Sequence, residues 1–306
     1  MKDIIKPIDK NLIIGELKTQ NPRVTKRLEN EIYVISATTS PHTMLELGRL
    51  REVTFRAAAG GTGKEVDIDE YDYLFKHIVL WSREAQEIVG SYRFAKMKDL
   101  MDGNKIQSPT RKLFDFSPKF VQEYLPKTIE LGRSFVQPKY QPRVDNKSGI
   151  FSLFNLFSGL EYLVSEHIDI QYLFGKFTMY SSYNVDARNL LLSYLKSKFP
   201  DPDKLVRPKK DLRLKYVQRN LMLLQTIFTQ QTFKDQKKTL EKYLSQYGEY
   251  IQPLVDIYMS LSSTMKTFGT AHHKEFGNTY ETGILVNIHD IHPEVIDRYR
   301  ANIKDV

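Results

Sequence analysis

The stretch Thr128–Val136, TIELGRSFV, reads as a β-strand with its charged and glycine residues gathered in the middle. β-branched and aromatic residues occupy its ends, which suits a pleated, half-buried surface. Strand alternation predicts Glu130 and Gly132 on one face, with Leu131 and Arg133 on the other. A glycine inside a strand lets a ligand or a second chain come close to the backbone. A carboxylate beside that gap is placed to take a proton from an amine, and strand amides left open there can stabilise a developing oxyanion. The same residues also fit a plainer use, in which Glu130 pairs with a buried arginine and ties the sheet together.

Upstream of this strand, EIYVISA (Glu31–Ala37) reads as another. A helix over HTMLELGRLREVTFRAA then starts at Ser40-Pro41, with apolar residues at helical spacing. Two further strands, Tyr73–Trp81 and Glu87–Ala95, are joined by a turn at Glu84–Gln86. Downstream, Gly149 precedes the apolar helix IFSLFNLFSGLEYLVSEH, followed by a strand at Tyr172–Tyr180 and a helix over 185–199. Helices over about 232–247 and 253–265, a strand at Gly283–Ile288 and a terminal helix from His292-Pro293 complete the reading. A strand meander followed by crossover helices predicts an α+β fold, an α/β sandwich whose central mixed β-sheet is flanked by helices. Residues 1–30 are expected as a polar arm and 31–303 as a single domain, with a basic, helical insertion at about 196–250. Between Lys196 and Lys215 eight basic residues stand against three acidic ones, and Pro200, Pro202 and Pro208 interrupt the segment.

The composition excludes several chemistries. The 306 residues include no cysteine, so a disulfide framework, a cysteine nucleophile and a thiolate metal site are ruled out. A net charge of +8 favours an acidic partner: nucleic acid, anionic lipid or an acidic carrier protein. Gly60-Gly61-Thr62-Gly63-Lys64 fails as a phosphate-binding loop, because Ala58 stands where a glycine is needed and Glu65 follows the lysine. His272 and His273 are adjacent, which points them apart and makes them a poor chelating pair. No zinc-protease HExxH and no GxSxG nucleophile elbow occurs. The first residues, MKDIIKPIDKNLIIGELK, carry scattered charge and no apolar core of signal-peptide length. The most apolar run, Ile150–Leu163, is too short for a membrane span. A cytoplasmic protein, peripheral to the inner membrane, is the expectation.

Four clusters then stand out in order: RLREVTF with Arg51 and Phe55, DEYD with Asp69 and Asp72, EIVGSYRF with Arg93, and IELGRSFV with Glu130 and Arg133. In this order and spacing they resemble the hemolysin-like N-acyltransferases of the GNAT fold, which include the ornithine-lipid and glycine-lipid synthases. The same pattern is similar to that of the acyl-homoserine-lactone synthases, whose chains are much shorter and lack a counterpart of residues 196–303. The resemblance covers about residues 31–180 well and continues weakly beyond. It implies direct transfer of a long-chain, including 3-hydroxy, fatty acyl group from acyl carrier protein to the amine of an amino acid such as glycine or ornithine. No tightly bound cofactor is implied, and acyl-CoA is the alternative donor.

By this resemblance Glu130 is the candidate general base, and Arg51, Phe55, Asp69, Asp72, Arg93 and Arg133 shape the substrate site. One departure bears on the donor. Acetyl-CoA-dependent members hold pyrophosphate on a glycine-rich loop at a helix N-terminus. Here the corresponding stretch is QPRVDNKSGIF, with Gly149 alone. That favours a carrier-protein thioester, and Lys139, Arg143 and Lys147 are expected to meet the carrier's phosphate and acidic surface. The phenylalanine-rich helix after Gly149 either lines an acyl tunnel or packs against the sheet. The competing class is a non-catalytic basic module gripping anionic membrane or nucleic acid. Nucleic acid is disfavoured, because no recognised motif or aromatic-basic strand platform is present.

Overall fold

The computed structural model describes residues 1–141, 149–215, 221–230 and 232–304. Its strands are β1 (Arg23–Val24), β2 (Glu31–Ser36), β3 (Lys76–Ser82), β4 (Glu87–Lys96), β5 (Met101–Asp102), β6 (Lys105–Ile106), β7 (Phe114–Phe116), β8 (Thr128–Val136), β9 (Tyr172–Met179), β10 (Val206–Pro208), β11 (Lys266–His273) and β12 (Thr279–Asn287). Its helices are α1 (Lys10–Leu17), α2 (Pro41–Ala57), α3 (Gly149–Glu166), α4 (Val185–Lys198), α5 (Leu221–Phe228), α6 (Phe233–Ser245), α7 (Pro253–Leu261) and α8 (Pro293–Arg300). Eight strands form one sheet in the order β1-β2-β3-β4-β8-β9-β12-β11. All neighbours are antiparallel except the central pair β8 and β9. A parallel pair needs a crossover, and α3 lies between these two strands in the chain.

The sheet is buried on both faces. On one, Leu156, Phe157, Leu160 and Leu163 of α3 pack with Leu191 and Leu195 of α4, Tyr258 of α7 and strand residues such as Leu131 and Phe177. On the other, Met44, Leu47 and Leu50 of α2 pack against Tyr33, Ile35, Val79 and Trp81. Pro41 opens α2 at its first turn, where its missing N–H costs no hydrogen bond. Further along that face, Phe114, Phe120, Phe174 and Phe268 form a separate aromatic core.

Three features differ from the sequence expectation. The strand expected from Tyr73 begins at Lys76, because Asp69 and Asp72 form a capping box around a short 3₁₀ turn at Glu70–Tyr73. β11 is an additional edge strand. The basic segment after Lys196 is not simply exposed: β10 pairs with β7, and Leu205 and Val206 are buried.

The decisive local feature is in β8. It pairs with β4 as Ser91↔Phe135 and Arg93↔Gly132, so β8 carries one residue more than β4 over that interval. Arg133 sits in this bulge at φ 53°. The extra residue overturns the simple alternation: Arg133 lies on the Arg93 side, reaching Asp67 and Asp69, rather than sharing the face of Leu131. Pairing of β8 with β9 also ends early, at Glu130↔Phe174, although β8 runs on to Val136 and β9 to Met179. Past that point the strands splay, and facing main-chain N–H and C=O groups have no ladder partners.

Candidate active site

The splay opens into a cavity of about 1410 Å³, lined by Leu131–Val136 on one side and by Lys176, Thr178 and Tyr180 on the other. Typical small-ligand sites run roughly 300–1,000 Å³, so this one has room for a long substrate together with a small one. One end is polar, with Asp67, Asp69, Arg93, Arg133, Lys176, His273 and Glu281. The other is lined by Leu153, Tyr183, Tyr250, Pro253, Leu254 and Tyr258, with the polar Glu249 and Gln252 among them. Of α3, Gly149 and Leu153 reach the cavity, whereas Leu156, Phe157, Leu160 and Leu163 pack in the core.

The polar wall rests on a buried ion cluster. Arg51 Nη1 donates to Asp72 Oδ1 at 2.8 Å, and Arg93 Nη1 donates to the same oxygen at 3.0 Å. Arg93 also binds Asp69 at 2.6 and 3.2 Å. Arg133 reaches Asp67 at 2.9 and 3.0 Å. Three guanidinium groups thus face three carboxylates, the balance that a buried charge cluster requires. Arg51 and Asp72 are wholly buried and do not line the cavity; they brace Arg93 from behind. Phe55 does line it, with its ring 5.2 Å from that of Phe276 and 6.4 Å from that of Phe135. The sequence candidates Phe55, Asp69, Arg93 and Arg133 therefore meet at one wall.

The cluster makes stability pH-dependent. Burial, then the positive field of Arg51, pushes His77 down from its ordinary 6.5 to about 4. Burial alone would raise Asp72, but Arg51 and Arg93 hold it well below the usual carboxylate range, and Arg93 does the same for Asp69. All three groups bind protons more readily when unfolded. Their stabilisation is therefore complete above about pH 6.5 and is lost as pH falls: first His77's share, down to about pH 4, then that of the aspartates. The His77 share is on the order of 3 kcal/mol. Urea unfolding at pH 7 and pH 4.5 should show a steeper loss for the wild type than for His77→Gln; parallel losses would refute the assignment.

Glu130 is 1% exposed and lies just behind the cavity wall. Thr110 Oγ1 donates to its Oε1 at 2.6 Å, and Lys176 Nζ in turn donates to Thr110 Oγ1 at 3.1 Å. Glu130 Oε2 has no hydrogen-bond partner among the described residues. A buried acceptor left so costs roughly 1–3 kcal/mol, a cost more readily explained by function than by structure. Glu281 lines the cavity directly. It accepts from Thr178 Oγ1 at 3.0 Å and lies 3.5 Å from His273 Nδ1. Burial pushes Glu281 up, but His273, Lys176 and Thr178 together hold it below the usual range. Lys176 and Glu281 escaped the sequence reading, which weighed His273 only as half of a chelating pair. The available signal was a lone charge inside each apolar strand, in YLFGKFTMY and in TYETGILVN.

The glycine-rich loop and Lys139, both noted in the sequence, are engaged elsewhere. The loop Gly60–Lys64 does not offer its amides to phosphate: Glu52 accepts from Thr62 N–H, Thr62 Oγ1 and Gly63 N–H. Lys139 pairs with Glu87 on the surface, and Arg143 and Lys147 lie outside the described residues. Among the described residues no group of His, Asp and Glu is arranged to hold a metal ion, and no helix is long and apolar enough to cross a membrane.

The chain is similar to known proteins. A family profile described as an acetyltransferase (GNAT) domain matches residues 50–146. The chain is 43% identical over 297 residues to a glycine N(alpha)-acyltransferase of Phocaeicola vulgatus, covering 95% of this chain and 90% of that one. It is equally similar to a glycine N(alpha)-acyltransferase of Bacteroides thetaiotaomicron, at 43% over 95% of this chain and 87% of the other. A solved structure, that of FeeM, an N-acyl amino acid synthase from uncultured soil microbes, aligns at TM-score 0.42 and 12% identity, over 92% of this chain and 95% of that one. At 43% identity over nearly its whole length, with the splayed β8–β9 pair at its centre, the chain belongs to the glycine N(alpha)-acyltransferase family of GNAT enzymes.

Proposed function

We propose that this enzyme transfers a long-chain fatty acyl group from acyl carrier protein to the α-amino group of glycine, as a step in amino-acid lipid synthesis. The observation that carries the reading is the β8–β9 splay, which opens into one cavity lined both by charged residues such as Arg93, Lys176 and Glu281 and by aromatic and aliphatic ones such as Leu153, Tyr183 and Tyr258. The thioester lies across the splay, its carbonyl facing the unpaired main-chain amides and its acyl chain running toward Leu153, Tyr183 and Tyr258. Preorganised amides of this kind stabilise the oxyanion formed when an amine attacks the carbonyl carbon. The new N–C bond forms as the C–S bond breaks, and the thiolate leaves.

The attacking amine must shed a proton. Glu130 takes it through the Thr110 hydroxyl, which already donates to Oε1 and lies next to the cavity-lining Lys176. Glu281 is the second candidate, favoured by its direct position on the cavity wall. Its lowered pKa suits a carboxylate that stays charged more than one that takes up protons. Asp69, Arg93, Arg133 and Phe55 shape the acceptor end, and Arg51 and Asp72 hold that wall in place.

A carrier-protein donor is supported by the absence of a glycine-rich pyrophosphate loop in QPRVDNKSGIF and by the basic residues Arg143 and Lys147 within that sequence, with Lys139, paired to Glu87, just before it. The surplus positive charge also suits an anionic membrane surface, where a lipid product would be released. Purified enzyme supplied with glycine is expected to form N-acylglycine, by mass spectrometry, faster from acyl carrier protein than from the matching acyl-CoA. No product from either donor would overturn the reading, and a preference for acyl-CoA would overturn the choice of donor.

A further inference from the structure

Lys176 occupies an unusual position. It lies on β9 two residues beyond Phe174, the last residue paired with β8, and opposite Gly283 on β12. It lines the polar end of the cavity. An ammonium group has three N–H donors. Among the described residues one is satisfied, by Thr110 Oγ1, and no carboxylate stands within ion-pair distance. Arg93 and Arg133, the guanidinium groups of the same wall, are already matched by Asp67, Asp69 and Asp72. The cavity therefore holds a half-buried cation with unused donors beside the point where the strands separate.

We infer that Lys176 binds the α-carboxylate of the acceptor amino acid and so selects an amino acid over a simple amine. The inference rests on the acyl-transfer reading and adds a specific anchor to it. A carboxylate would fill the two free donors of Lys176 and neutralise a charge that burial disfavours. In glycine one carbon separates carboxylate from amine. Anchoring the carboxylate at Lys176 therefore leaves the amine beside the Thr110–Glu130 pair that Lys176 already touches. Burial pulls Lys176 below the usual lysine range against the pull of Glu281 and Glu130, and an incoming carboxylate reverses that penalty.

The test compares wild type, Lys176→Met and Lys176→Arg with two acceptors, glycine and glycinamide, and reads both turnover and binding by saturation-transfer NMR. Loss of a charge-assisted contact made equally in ground and transition states raises KM and spares kcat. Lys176→Met should raise KM for glycine roughly 10- to 100-fold, change KM for glycinamide far less, and abolish the glycine signal in NMR. Lys176→Arg, which keeps the charge, should retain the preference for glycine and decides the matter if the methionine variant does not fold. A collapse of kcat at unchanged KM, or an unchanged glycine-to-glycinamide ratio, overturns the inference. If wild type forms no N-acylglycine yet binds glycine in a Lys176-dependent way, the reaction assignment falls and the carboxylate site stands.

Discussion

Glu130→Gln should lower kcat by roughly 10²- to 10⁴-fold, the range that a positioned general base contributes, without lowering the melting temperature. The two expectations belong together. Glutamine keeps the shape of glutamate, and its carbonyl oxygen still accepts from Thr110 Oγ1, so the buried contact survives. What it cannot do is take up a proton. Thr110→Val interrupts the same route at the hydroxyl and should lower kcat as well. A smaller loss is expected there if water replaces the hydroxyl between amine and carboxylate. Measured beside these, Glu281→Gln discriminates the two carboxylates. If Glu130→Gln stays within about threefold of wild type while Glu281→Gln carries the loss, proton transfer belongs to β12 rather than β8. The plainer use of Glu130, as partner of a buried arginine, does not describe this fold. The arginines pair with Asp67, Asp69 and Asp72, and Glu130 meets a threonine instead.

The sequence carried the elements well and the site unevenly, for physical reasons that can be named. β8 was legible to its last residue because β-branched and aromatic residues bound it on both sides. The face of Arg133 was not. A bulge is a property of two strands in register, and nothing in TIELGRSFV alone requires the left-handed residue at position 133. The resemblance named seven site residues, and burial separates them. Phe55, Asp69, Arg93 and Arg133 line the cavity, whereas Arg51, Asp72 and Glu130 stand behind it. Motif spacing cannot distinguish a residue that touches substrate from one that holds such a residue in place. β11 went unseen because KTFGTAHH mixes glycine, lysine and two histidines, a weak strand pattern rescued by pairing with β12. The neighbouring strand was read from Gly283 but begins at Thr279, which left Glu281 out of the reading.

Asp72→Ala should cost about 3–5 kcal/mol of stability, the penalty for breaking a buried ion pair by removing one partner. Asp72 Oδ1 receives Arg51 and Arg93 together, and its Oδ2 accepts the backbone N–H of Asp69. Alanine at this wholly buried position would leave Arg51 without its carboxylate and take one of Arg93's two, and would also undo the capping box around the 3₁₀ turn that precedes β3. Against a typical total of about 5–15 kcal/mol, such a loss leaves a markedly unstable protein. Urea unfolding followed by far-UV circular dichroism measures it. The charge explanation makes a second, sharper demand. Arg51→Met combined with Asp72→Ala removes one cation with the anion, leaving Arg93 its remaining contacts to Asp69. The double variant should therefore be more stable than Asp72→Ala alone, even though it lacks more native hydrogen bonds. If the double variant is the weaker one, packing and not charge balance holds this wall, and the cluster would matter to the site only as filler.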